Sequence, residues 1–185
     1  HLKYGINTDL AIFGKALGNG YAITAILGTR IVMEEAQKSF ISSTFWTERV
    51  GATAALKTLE IMERDKTWET ITEIGKKIQA LWKDIANSHG LKIEISGIPS
   101  LSTFKFPSEK NLKYKTLITQ EMLKKKFLAS NTIYTTIAHK QSIINEYSNE
   151  LGKIFKIISD SENQRLDIDK LIIGPVCHSG FQRLN

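Results

Sequence analysis

The run Asp9-Leu-Ala-Ile-Phe-Gly-Lys-Ala-Leu-Gly-Asn-Gly20 decides how this chain is read. Leu10 to Phe13 are four apolar residues in succession, which predicts a short strand, and Gly14, Gly18 and Gly20 then let the backbone turn tightly against something bulky. Between them stands Lys15, an amine delivered by an apolar strand into a glycine-rich turn. Partial desolvation at such a place disfavours the ammonium form and makes the amine a better nucleophile toward an aldehyde, so the pattern suits a Schiff-base lysine. It equally suits a lysine that leaves a strand end with its ammonium in water. A Walker phosphate loop is excluded, because Ala16 follows the lysine where that motif needs Ser or Thr.

Around this run the pattern is mixed α/β. A second strand is expected over Ala22 to Leu27, a short helix over Arg30 to Gln37, and a helix from Thr47 as cap, with Glu48 in its first turn, to about Arg64. Gly51, Ala52, Ala54 and Ala55 give that helix a face another backbone can approach closely. A longer helix over about Lys66 to Ser88 carries Trp68, Ile71, Ile74, Ile78, Leu81, Trp82 and Ile85 at three- and four-residue steps, one buried stripe. Lys92 to Ile95 alternates as a strand that Gly97 and Pro99 break, and Leu101 to Phe106 alternates as its partner. Helices over about Lys113 to Ala129 and Gln141 to Ser159 flank a strand at Thr132 to Thr136; the second carries Ile143, Ile144, Tyr147, Leu151, Ile154, Phe155 and Ile158. A domain boundary is expected within residues 60 to 68.

Composition limits the function classes. At 185 residues with 42% hydrophobic content the chain can bury one sizeable core or one and a half domains. No apolar run approaches the roughly 20 residues that span a bilayer, so no membrane partner is expected. The single cysteine, Cys177, rules out an internal disulfide framework and fits a reducing compartment, making cytoplasm the expected location. Twenty-five basic against 19 acidic residues give a charge of +6, yet Lys110, Lys113 and Lys115 are interleaved with one aromatic, Tyr114, and Lys124 to Lys126 read as an exposed helix face. That is a solvated surface without a stacking platform, and no nucleic-acid partner is expected. The histidines His1, His89, His139 and His178 show no metal spacing. His139 is placed to cap a helix start or to contact an active site. Cys177 and His178 are adjacent in an extended tail and point opposite ways, which disfavours a thiolate dyad.

Three segments carry a resemblance. Tyr4-Gly-Ile-Asn-Thr-Asp9 leading into Gly14-Lys15-Ala-Leu-Gly18-Asn-Gly20-Tyr21, then Ser42-Ser-Thr-Phe-Trp46 running into Gly51-Ala-Thr-Ala-Ala55, then Ile133-Tyr-Thr-Thr-Ile-Ala-His139, follow one another in family order. Together they resemble the class III (fold type I) pyridoxal-phosphate aminotransferases, in the branch similar to glutamate-1-semialdehyde 2,1-aminomutase. Thr8 and Ala22 depart from it, standing where the family often has proline.

The resemblance implies an α/β fold that is the C-terminal part of a fold type I transferase. Residues 1–64 would close the large cofactor domain and residues 65–185 form a small α+β domain. It implies pyridoxal 5'-phosphate as cofactor, Lys15 as internal aldimine and proton shuttle, and Thr44 as ligand to the cofactor phosphate of the neighbouring subunit in a homodimer. Placement of Thr44 ahead of a helix N-terminus gives that role a physical basis of its own, although Ser42 to Thr44 also read as ordinary loop residues. The family's ring-stacking residue, pyridine-nitrogen aspartate and first phosphate loop would all precede His1, so the isolated chain is expected to be inactive.

Substrate choice is approached through arginine, whose fork grips carboxylates best. Of Arg30, Arg49, Arg64, Arg165 and Arg183, none lies in Thr132 to His139, and the tail lacks the arginine-proline pattern of ornithine-type enzymes. This favours the aminomutase-like branch, which is also similar to aminotransferases acting on keto or amino sugars. A noncatalytic oligomerisation domain is the alternative of a different class.

Overall fold

The structure is a computed structural model that describes residues 1–180; Arg183 lies outside the described residues. Two compact units are present, His1–Thr67 and Trp68–Asn185.

In the first unit, β1 (Leu10–Phe13) pairs antiparallel with β2 (Ala25–Gly28), with Leu10 opposite Gly28 and Phe13 opposite Ala25. β2 begins three residues later than its apolar run suggests. Its partner strand ends at Phe13 and the chain turns away at Gly14, so Ala22 to Thr24 have nothing to pair with. Helix α1 (Arg30–Glu35) passes into a 3-10 turn over Ala36–Lys38, and α2 spans Arg49–Asp65. The expected cap is corrected. Glu48 rather than Thr47 holds the N-cap position of α2, and no side chain bonds to the free amides there. The small face of α2 does what its composition promises: a Cβ on Gly51 would lie 2.5 Å from the Ala22 carbonyl oxygen. Ala55 is the one buried hydrophobic side chain of this unit among the described residues, and Ile12 and Leu27 are 68% and 61% exposed. The hairpin therefore has strands but no core of its own.

The second unit is built differently. Helix α3 (Thr67–Ser88), strands β3 (Glu94–Ile98) and β4 (Leu101–Lys105), helix α4 (Asn111–Lys124), strand β5 (Thr132–Tyr134) and helix α5 (Gln141–Glu162) form a three-stranded antiparallel sheet, order β3-β4-β5, with three helices. Its core centres on Phe104, whose ring meets Trp82 at 4.7 Å and Phe155 at 5.6 Å between centroids. Edge-on aromatic pairs of this kind add to what area burial alone supplies. Trp82 donates its Nε1–H to the Tyr147 hydroxyl at 2.8 Å, so the one polar atom of its ring is satisfied.

Several expectations shift, among them α4, which ends at Lys124 rather than Ala129, and β5, which ends at Tyr134 rather than Thr136. In α3 the stripe holds at Ile74, Ile78, Leu81, Trp82 and Ile85, with Ala86 joining it, while Trp68 is 46% exposed. Thr135 caps the core side of that helix by donating to the Ile71 carbonyl at 3.0 Å, and Trp68 lies a turn beyond it. In α5, Ile143 is 42% exposed although its neighbour Ile144 is buried, because Ile143 falls at the rim of the apolar face that Ile144, Tyr147, Leu151, Ile154, Phe155 and Ile158 bury. Gly97 does not break β3. It adopts φ +88, where glycine is unstrained, and still pairs with Ser102.

Candidate functional site

Lys15 follows β1 immediately and opens a 3-10 turn over Lys15–Leu17. The turn is closed by the Leu17 amide on the Gly14 carbonyl at 3.0 Å and the Gly18 amide on the Lys15 carbonyl at 3.2 Å. Gly18 permits this fold-back, since a Cβ there would lie 2.0 Å from the Tyr21 carbonyl oxygen. Lys15 itself has φ +50, in the left-handed region that costs an L side chain free energy. Lys66, Lys126 and Gln164 share that conformation, but each follows a helix end, where it is a common way to terminate. At Lys15 no helix is being ended. With Asn19, at φ +47 in the same turn, Lys15 makes a left-handed pair directly after a strand, and nothing in the sequence announces the pair.

The expected desolvation of Lys15 is corrected: the residue is exposed. The unit His1–Thr67 has no buried apolar layer to take its ammonium out of water, so its amine is presented rather than enclosed.

Thr44 is exposed in a turn over residues 44–47 that precedes α2, and it has no hydrogen-bond partner among the described residues. The α2 N-terminus with its uncapped amides suits an anion, although the Glu48 carboxylate at its N-cap position opposes one. His139 does not cap α5. Lys140 occupies the N-cap position without a side-chain bond, and His139 Nδ1 instead accepts from the Thr136 amide at 3.1 Å, closing the turn between β5 and α5. Cys177 and His178 do not meet as a dyad: the Cys177 thiol donates to the Leu112 carbonyl at 3.5 Å, half-buried, while His178 is exposed. Among the described residues no group of three potential metal ligands occurs, and no helix is long and apolar enough to cross a membrane.

Tyr114, read from sequence as a lone aromatic among lysines, is fully buried and donates its hydroxyl to Glu162, which also accepts from Ser108 Oγ at 2.8 Å. The bond from Tyr114 is the main reason the Glu162 carboxyl lies below its ordinary range. Burial, with the Glu162 contact second, pushes Tyr114 up to about 12. Only the spacing Tyr114 to Glu162 across two helices could have signalled this pair, and spacing over 48 residues carries no such signal.

A lysine amine off a strand end and a hydroxyl ahead of a helix N-terminus are what a cofactor with an aldehyde and a phosphate requires of two of its contacts. The family pattern of Aminotransferase class-III matches residues 1–144, and the chain belongs to that family. It is 36% identical over 118 residues to a 3-aminobutyryl-CoA aminotransferase of Cloacimonas acidaminovorans, covering 63% of this chain and 28% of that protein. It is 26% identical over 172 residues to a glutamate-1-semialdehyde 2,1-aminomutase of Hyperthermus butylicus, covering 83% of this chain and 40% of that protein. In architecture it is similar to the FumI protein of a Sphingopyxis species, solved in its pyridoxal-phosphate internal aldimine form. There the TM-score is 0.81 at 22% identity over 93% of this chain and 42% of the other. The chain thus spans well under half the length of these relatives, and its fold is a partial transaminase fold of mixed helix and sheet.

Proposed function

We propose that this chain serves pyridoxal-phosphate-dependent amino-group transfer, as an aminotransferase or aminomutase, with Lys15 as the cofactor-bearing amine and Thr44 as a phosphate ligand. The observation that carries the reading is the exposed amine of Lys15 on left-handed backbone directly after β1. Pyridoxal phosphate, when bound, supplies an electron sink for carbanion chemistry beside the amine. Lys15 Nζ would hold its aldehyde carbon and would serve as the base that takes and returns a proton. Thr44 Oγ1 and the free amides of α2 bind phosphate.

In this reading residues 1–64 belong to the cofactor domain and residues 65–185 to the small domain. The exposed apolar side chains of the first unit, Phe40 at 96% and Trp46 at 68% among them, support a homodimer in which Thr44 reaches the partner's phosphate. A half-buried free thiol at Cys177 supports a cytoplasmic setting. Borohydride reduction of the cofactor-loaded protein that carries this chain, followed by peptide mapping, is expected to leave the pyridoxyl mass on Lys15, and Lys15→Ala is expected to abolish turnover. A label on another lysine would overturn the assignment. Product analysis separates the two reactions: a released keto product marks an aminotransferase, and an amine returned to the same molecule marks an aminomutase.

A further inference from the structure

The second unit contains a cavity of about 250 Å³ between the start of α5 and the segment Phe127 to Tyr134. Ile78, Phe127, Leu128, Ile133, Ile143 and Ile144 give it apolar walls. Besides Tyr134, which is exposed to water, two polar side chains that line it have a hydrogen to spare. Tyr147 is 7% exposed and its oxygen accepts from Trp82 Nε1, so its own hydroxyl hydrogen must point elsewhere, and it finds no acceptor among the described residues. Burial raises the Tyr147 pKa, which keeps it a donor. His139 accepts on Nδ1 from the Thr136 amide, which places the ring hydrogen of the neutral form on Nε2, again without an acceptor among the described residues. A nearly buried donor left unmade calls for an occupant that accepts.

The charge around the cavity selects among acceptors. No Asp or Glu lines it. Lys126 and Lys140 adjoin the lining residues Phe127 and His139 in sequence, and neither forms an ion pair among the described residues, whereas Lys124 and Lys125 are spent on Glu121 and Glu150. The volume lies below the roughly 300–1,000 Å³ of sites that take drug-sized molecules, so the occupant is small.

We propose that this cavity binds a small monocarboxylate with an apolar body, such as an aromatic or branched short-chain acid, its carboxylate accepting from Tyr147 and His139. The site lies wholly within the second unit and does not depend on the role of Lys15. Sodium benzoate and neutral benzamide are titrated into the 185-residue chain, followed by nuclear magnetic resonance of the His139 ring and the Ile143 and Ile144 amides. Saturable shifts are expected with benzoate, at an affinity at least fivefold above benzamide. Ile143→Trp, at a partly exposed rim position, should abolish them while resonances elsewhere stay in place. Tyr147→Phe should weaken benzoate at least fivefold; should that variant unfold for want of the Trp82 partner, His139→Ala supplies the same measurement. No saturation by benzoate, equal binding of benzamide, or binding indifferent to Ile143→Trp would each overturn the proposal.

Discussion

Gly75 sits in the interior of α3, where substitution by alanine ordinarily stabilises a helix by about 1 kcal/mol. The tertiary structure reverses the sign. A Cβ at Gly75 would stand 1.9 Å from the Pro99 carbonyl oxygen and 2.3 Å from its carbonyl carbon, both backbone atoms that no side-chain rotation can move. Either α3 or the turn between β3 and β4 must retreat by more than an ångström. Retreat of α3 would loosen Ile78 and Trp82, which are 1% and 0% exposed. Overpacking of this kind costs about 1–3 kcal/mol, and contact with unyielding backbone puts Gly75→Ala at the upper end, about 2 kcal/mol net after the helix gain. Gly152, in α5, is the matched control: a Cβ there meets nothing within 4 Å. Gly152→Ala should therefore stabilise by about 0.5–1 kcal/mol. Urea unfolding of the two variants, followed by circular dichroism and by tryptophan fluorescence, should move their midpoints in opposite directions. If Gly75→Ala moves upward together with Gly152→Ala, the close packing of α3 on the turn at Pro99 is wrong.

Further outcomes follow from the Tyr114 and Glu162 pair and from Thr44. Glu162 has a folded pKa below its ordinary 4.5, so its stabilising contribution is present above that value and lost as pH falls through the folded one; Tyr114→Phe should flatten the acid loss of stability seen in urea midpoints. Tyr114 is raised from 10.0 to about 12, so the folded state holds it neutral and loses stability as pH climbs above the ordinary value; ultraviolet titration should show two tyrosines, Tyr114 and Tyr147, ionising late, and only one of them should remain in Tyr114→Phe. Thr44→Ala in the cofactor-loaded protein should weaken pyridoxal phosphate binding by roughly 1–3 kcal/mol, the cost of an unmade contact to a charged group, as measured by spectral titration. Undiminished binding in that variant would remove Thr44 from the phosphate site.

Local pattern by itself determined the elements. β1 occupies the residues its apolar run indicated, and α2, α3 and α5 lie within a few residues of where their periodicity placed them, because an apolar face repeated every three or four residues has one conformation that buries it. The order of three short motifs also determined the family, since the glycines and lysine after β1 form one local unit readable in a line. Tertiary structure decided everything that depends on residues far apart in the chain. It chose Ile78, Trp82 and Ala86 over Trp68, let β3 run through Gly97 because its pairing with Ser102 tolerates a left-handed glycine, and buried Tyr114 against Glu162. It also left Lys15 exposed. Burial is a property of what packs around a residue, so the exposure of Lys15 follows from the absence of an apolar layer in its unit, whereas its left-handed backbone belongs to the local turn from Gly14 to Gly18 and is legible only once that turn is seen.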